Sequence, residues 1–266
     1  MSVRVVVHPG FHKTGTSSLQ SYLHRHRKAF APWFDFYGKD DFLQAGSAAR
    51  IYAQKPFPWR LRLFRRRLDA FLASIPDAPV IVLSRETFSG AMPGHRRMLG
   101  GLITGYEGTA PRLGRQIVAA LRARFGPDVA ITFVYTARAR EPWIRSVYGH
   151  LVRSIHLTED FPAFRARFPT LADPEDAARA IARRIGVSDV HVFALEDIGA
   201  AREGPASAIL DLLEVPHAVR DRLPPAGRAN GGQSAKIEAT FLAMNRAGGR
   251  KPDLKQRKDA ILAKSR

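Results

Sequence analysis

Two glycines frame the first stretch able to do chemistry: Gly10-Phe11-His12-Lys13-Thr14-Gly15-Thr16-Ser17-Ser18. Glycine reaches backbone angles that let successive amides converge. A helix opening after Gly15 aims its first amides outward, where the dipole favours an anion. Lys13 adds a full positive charge, and Thr14, Thr16, Ser17 and Ser18 add hydroxyl donors. Together they specify a site for a phosphate or sulfate group. A second set, Arg138 and Ser146, pairs a guanidinium fork with a hydroxyl, which suits a second phosphate. The histidines show no H-E-x-x-H or comparable ligand spacing, and with no cysteine there are no thiolates, so no metal is expected.

Each set needs a strand behind it and a helix in front. The β-branched run Val3-Arg4-Val5-Val6-Val7 predicts a strand feeding the glycine loop, and Ser18 to Ala29 predicts the helix after it, with Leu19, Tyr22 and Leu23 on one side. Pro79 to Ser84 reads as a buried strand ending at Glu86, and Val129 to Thr136 as another ending at Arg138. Pro142 then opens a helix to about Arg153, with Ser146 two turns in. Helices over 113–125 and 173–185 and a strand over 190–195 complete the alternation. This order predicts an α/β fold, a three-layer sandwich around a central, mostly parallel sheet.

Between these elements lie less regular stretches. Residues 30–58 are aromatic and punctuated by Pro and Gly, with a short helix near 41–53, and read as a covering region rather than sheet. Residues 59–74 read as a helix with a basic face, and 88–110 as a long mobile loop. Residues 154–172 connect, and 216–232 are rich in Pro and Gly. The expected organisation is one domain over 1–246 and a loosely held basic tail over 247–266.

The formal charge of +18 suggests an anionic partner, or else an arginine-rich compositional bias, since the arginines are spread along the chain. The start lacks the apolar core of a signal peptide, and no apolar run approaches the roughly 18 residues of a membrane span. A cytoplasmic protein is the expectation.

The magnesium-dependent nucleotide loop is G-x-x-x-x-G-K-[ST]. Here Thr16, not lysine, follows Gly15, and the lysine stands earlier at Lys13. Lys13-Thr14-Gly15-Thr16-Ser17 resembles instead the 5'-phosphosulfate loop of the P-loop-like sulfotransferases that use 3'-phosphoadenylyl sulfate (PAPS). Arg138…Ser146…Tyr148 is similar to the 3'-phosphate motif of the same family, with Trp143-Ile144-Arg145-Ser146 close to a bacterial variant and the usual proline displaced to Pro142. Val192-Phe193-Ala194-Leu195-Glu196-Asp197 fits loosely a family strand that ends in an acidic pair.

The resemblance implies a sulfotransferase-like fold and transfer of a sulfuryl group from PAPS to a hydroxyl or amine of a small molecule or glycan, leaving adenosine 3',5'-bisphosphate, without a metal. It implies that Thr14, Gly15, Thr16 and Ser17 hold the 5'-phosphate, that Lys13 stabilises charge on the bridging oxygen, and that Arg138 and Ser146 select the 3'-phosphate. Arg228, in a late basic segment, is a further 3'-phosphate candidate, while Ser234 reads equally as a helix cap. Glu86 is the candidate base, with pairing to Arg85 or Lys13 the alternative role; His95 is the second candidate. His12, beside Lys13, is assigned to steadying the loop at the cofactor site, and His8 to ending the first strand. Two other classes stay open. A P-loop nucleotide kinase or triphosphatase needs the missing lysine. A basic nucleic-acid-binding protein is supported by charge, but no nucleic-acid-reading signature is present.

Overall fold

The computed structural model describes residues 3–227 and 234–264. Its strands are β1 (Arg4–His8), β2 (Asp35–Tyr37), β3 (Val80–Ser84), β4 (Ala130–Ala137) and β5 (Val190–Ala194). The helices are α1 (Thr16–Arg25), α2 (Arg27–Phe30), α3 (Leu43–Gln54), α4 (Pro58–Ser74), α5 (Ala110–Phe125), α6 (Arg140–Ser154) and α7 (Phe161–Ala166). They continue with α8 (Pro174–Ile185), α9 (Leu195–Ile198), α10 (Ser207–Leu212), α11 (His217–Arg220), α12 (Ala235–Ala247) and α13 (Lys251–Lys264).

The chain divides into two compact units. The first, Met1–Ala139 with Ala172–Ala229, holds the whole sheet. Among the described residues it has five strands in the order β2-β3-β1-β4-β5, every pair parallel. β1 is central because Val5, Val6 and Val7 are fully buried, as a strand covered on both faces must be. Val6 stands beside Val82 of β3 and Thr132 of β4, and with Val134 and Phe36 it faces Leu19, Tyr22 and Leu23 of α1 and Ile209 and Leu210 of α10. The alternate residues Val5, Val7, Ile81, Leu83, Phe133 and Tyr135, also buried, point to the other face. There α8 packs on β4 and β5, α5 on α8, and α4 on α3 and α5. The result is a three-layer α/β sandwich. From β1 the chain crosses toward β2, and from β4 toward β5 on the other side, so the carboxyl ends of β1 and β4 border the crevice where such sheets bind ligands.

The covering region does contribute to the sheet. β2 is three residues long, and its pairing comes wholly from β3, with Phe36 buried between them. Pro32 and Gly38 on either side mask it, because a strand this short owes its existence to its neighbour rather than to local propensity. The stretch 88–110 is anchored at Ala91, Met92, Ile103 and Tyr106, all buried, and exposes 96–101 around an Arg96–Leu102 bridge. The connector after α6 contains α7, capped by the Asp160 carboxylate accepting from the Ala163 amide at 3.0 Å.

The second unit, Arg140–Leu171 with Asn230–Arg266, contains α6, α7, α12 and α13. Tyr148 lies in its core against Phe161 and Phe164, its hydroxyl donating to the Glu159 carbonyl. The stretch expected as a loose tail carries α13, and Lys258 shows why it is held. Its buried ammonium donates to the Val152 carbonyl at 2.7 Å and to Asn245 Oδ1 at 2.6 Å. Asn245 in turn donates to the carbonyls of Val152 and Leu157. A lysine and an asparagine thus satisfy the carbonyls left over where α6 ends. Among the described residues no helix is long and apolar enough to cross a membrane.

Candidate functional site

The loop after β1 turns through three left-handed residues: Gly10 at φ +81°, Lys13 at +67° and Gly15 at +87°. A Cβ on Gly10 would lie 2.9 Å from the Cα of Glu86, so only glycine lets β1 turn this close to the end of β3. Gly15 is the N-cap of α1, and a Cβ there would meet Leu195 Cδ1 and Pro205 Cγ at 2.8 Å. Lys13 has no such freedom; a left-handed lysine costs about 1–2 kcal/mol. Such strain gathers at functional loops, where the surrounding structure enforces it. Neither a capping side chain nor an acidic residue serves the first turn of α1 among the described residues, so that helix end is positive and its amides face outward.

The hydroxyls divide between two tasks. Thr14 and Thr16 are buried and turn inward, each donating to the Phe11 carbonyl at 2.8 Å. Ser17 is exposed and Ser18 half-buried. Thr14 and Thr16 can therefore give an anion their amides but not their hydroxyls, which hold the loop closed.

Behind the loop runs a file of buried hydrogen bonds whose directions can be worked out from its ends. The Gln20 amide donates to Ser84 Oγ at 3.2 Å, and Ser84 Oγ lies 2.8 Å from His8 Nδ1. His8 Nε2 is 3.2 Å from Thr136 Oγ1, which is 3.0 Å from Thr14 Oγ1, and Thr14 donates to Phe11. An amide NH2 can only donate and a carbonyl only accept. From the Phe11 end, Thr14 has spent its proton and accepts from Thr136, which in turn accepts from His8 Nε2. Complete burial, opposed only in part by Glu86, lowers the His8 pKa to about 4, so the ring is neutral and its Nδ1 accepts from the Ser84 hydroxyl.

A second brace comes from the 88–110 stretch. The Tyr106 hydroxyl accepts from the His12 amide at 3.3 Å and meets His12 Nδ1 at 3.0 Å, while its ring stacks on Phe11 at 4.3 Å. Burial, against the pull of the His12 amide, raises the Tyr106 pKa well above the usual range, so it stays a phenol. Ser89 adds a bond to the Pro9 carbonyl at 3.0 Å. His12 is thereby joined to Tyr106 through both its amide and its ring.

Glu86 sits on the far side of Gly10, its Oε2 3.4 Å from the Gln20 amide. Burial pushes its pKa up, but nearby His12, its own backbone amide, Arg85 and Gln20 outweigh that and hold it below the ordinary range. The Arg85 side chain turns away, donating to Thr87 Oγ1 at 3.0 Å and to the Lys39 carbonyl at 2.7 Å. It passes over Gly46 in α3, where a Cβ would collide with the guanidinium.

Arg138 follows β4 at the carboxyl edge of the sheet, its Nε 3.9 Å from Glu196 Oε1, which also accepts from the Ala139 amide at 3.3 Å. Ser146 and Tyr148 belong to the second unit; Ser146 is half-buried in α6, and Tyr148 is committed to the core there. His95 is half-buried on its loop, with its pKa lowered by burial and by Arg50. Arg228 lies outside the described residues. Ser234 caps α12, accepting from the Ile237 amide at 3.3 Å. Sequence reasoning missed Gln20, Tyr106 and Thr136, and gave His8 too small a part. Only Gln20 had a local signal, one helical turn after Thr16 on the loop's own helix.

No known family model matches this chain, and no curated protein matches it in sequence.

Proposed function

We propose that this protein is a sulfotransferase that moves a sulfuryl group from PAPS to an acceptor hydroxyl or amine. One observation carries the reading: Lys13 is forced into a left-handed turn between Gly10 and Gly15, directly before a helix end with neither cap nor acid. That combination suits an anion, and it suits the donor's 5' end. The amides of Thr14 to Ser17 would hold the 5'-phosphate, with Lys13 against the charge that grows as the sulfur–oxygen bond breaks. Arg138, at the edge of the same sheet, would meet the 3'-phosphate, exchanging its long contact with Glu196 for a shorter one. PAPS supplies the activated sulfuryl group when bound. Glu86 is the base: its carboxylate is ionised at neutral pH, half-buried, and steadied by Gln20.

The kinase alternative finds less support, because Thr16 stands where its lysine belongs and turns its hydroxyl to the Phe11 carbonyl. The test is calorimetric titration with adenosine 3',5'-bisphosphate, beside magnesium-ATP, on wild type and Arg138→Ala. Metal-independent binding of the bisphosphate, weakened about tenfold or more in the variant, supports the reading. Tight magnesium-ATP binding that ignores the 3'-phosphate would sink it.

A further inference from the structure

A groove of about 530 Å³ runs along α1 and is closed on its other side by the turn after β2. Ser17 and Gln20, one turn apart, line it from α1, with Arg25 farther along the helix; Lys39 and Asp40 face them across the gap. Two of these residues tie the groove to the site already described. Ser17 lies in the first turn of the helix that follows the left-handed loop. Gln20, which donates to the Ser84 carbonyl at 3.0 Å, also lies 3.4 Å from the Glu86 carboxylate. The groove therefore begins at the first turn of α1 and passes the amide next to Glu86.

Its lining sets hydrogen-bonding and charged heads on aliphatic stems, and its rings are those of His24 and of Phe36, the latter 1% exposed. Phe30 and Phe34 are buried in the core beneath α1, so these rings of the aromatic stretch 30–37 are spent on packing rather than on the groove. The charges are uneven. Asp41 is committed, accepting from Arg27 and from the Gly38 amide, both at 2.7 Å. Arg25 and Lys39 form no ion pair among the described residues, against the single carboxylate of Asp40. The turn is also held in place, since buried Arg85 donates to the carbonyl of Lys39. A fixed wall of hydroxyl, amide and cationic donors matches a ligand rich in hydroxyls and bearing negative charge.

Resting on the sulfuryl-transfer reading of the loop, the geometry points to this groove as the acceptor site and to an acidic saccharide as the acceptor class. The test is titration calorimetry of the full chain with a uronic-acid-containing disaccharide, with maltose as its neutral counterpart, and with 4-nitrophenol. Each is run with and without saturating adenosine 3',5'-bisphosphate, on wild type and on the double variant Arg25→Gln/Lys39→Gln. The acidic disaccharide is expected to bind about tenfold or more tightly than maltose or the phenol, and the double variant to lose about tenfold for it. Bisphosphate binding should be the same in both proteins. Equal binding of the two disaccharides, tighter binding of the phenol, no disaccharide binding, or binding unmoved by the double variant overturns the groove assignment while the nucleotide reading stands. A wild type that ignores the bisphosphate overturns the nucleotide reading, and with it the groove's role as an acceptor site.

Discussion

The Gln20 amide and the Phe11 carbonyl are the two ends of one buried hydrogen-bonded file that runs through Ser84, His8, Thr136 and Thr14. Protonating His8 would turn Nδ1 from acceptor to donor, make Ser84 Oγ accept from both neighbours, and place a charge in a fully buried ring. The loop after β1 is therefore tied to the ends of β3 and β4 through a histidine that burial keeps neutral.

Stability should record this. Unfolded, His8 takes its proton near pH 6.5; folded, not until about pH 4. Because the unfolded chain binds the proton first, His8 favours the folded state fully above about pH 6.5, and that contribution drains away as the pH falls toward 4. Denaturant melts of wild type at pH 7 and pH 5 should differ by about 2 kcal/mol more than those of His8→Gln. Identical pH slopes in the two proteins would refute the file.

Thr136→Val keeps the shape of the side chain and removes the hydroxyl, leaving His8 Nε2–H without its acceptor. We expect a loss of about 1–3 kcal/mol in urea melts. Bisphosphate affinity should fall as well, because the Thr14 hydroxyl loses its donor while the loop's own amides are untouched.

Lys13 separates stability from function. Lys13→Gly relieves the left-handed strain at some cost in chain entropy, so its stability should rise by about 0.5 kcal/mol. Bisphosphate affinity should nonetheless fall about tenfold or more, as a charge-assisted contact is lost. A variant both less stable and equally good at binding would show that the lysine is there for the fold.

Glu86→Gln should leave bisphosphate affinity within about twofold and cut release of adenosine 3',5'-bisphosphate from PAPS by about a hundredfold, the lower end of what a positioned base contributes. Because the Glu86 pKa is held below the ordinary range, the acid limb of the wild-type rate profile should lie below that of a typical glutamate. A limb at neutral pH would point instead to a histidine.

In the second unit, Lys258→Met removes the ammonium from three acceptors, the Val152 and Arg153 carbonyls and Asn245 Oδ1. The loss should reach about 2–3 kcal/mol in thermal unfolding. Amide exchange should speed up in α12 and α13 and not in the sheet.

What the sequence disclosed follows the range of the forces involved. The strand–loop–helix at 3–25 and the α/β class were legible because β-branched runs, turn glycines and apolar spacing are local. β2 was not, since its three residues take their pairing from β3. Tyr106 was not, since it braces His12 from 94 positions away with nothing in its own neighbourhood to mark it. The inward turn of the Thr14 and Thr16 hydroxyls was also invisible, for composition counts donors without saying where they face. The motif of Arg138, Ser146 and Tyr148 looked continuous as text, yet the chain passes from one compact unit into the other at residue 140, and Tyr148 serves the core of the second.

Gly46 looks like a flaw, a helix-interior glycine that costs about 1 kcal/mol relative to alanine. What the position preserves is an empty volume, the corridor through which the Arg85 guanidinium reaches the Lys39 carbonyl. In a mutational scan it should be a sensitive site although it lies outside the groove lining, because even a methyl group there would push the arginine aside and release the wall of the groove. On the acceptor-site reading, residue 46 shapes what the groove admits without lining it.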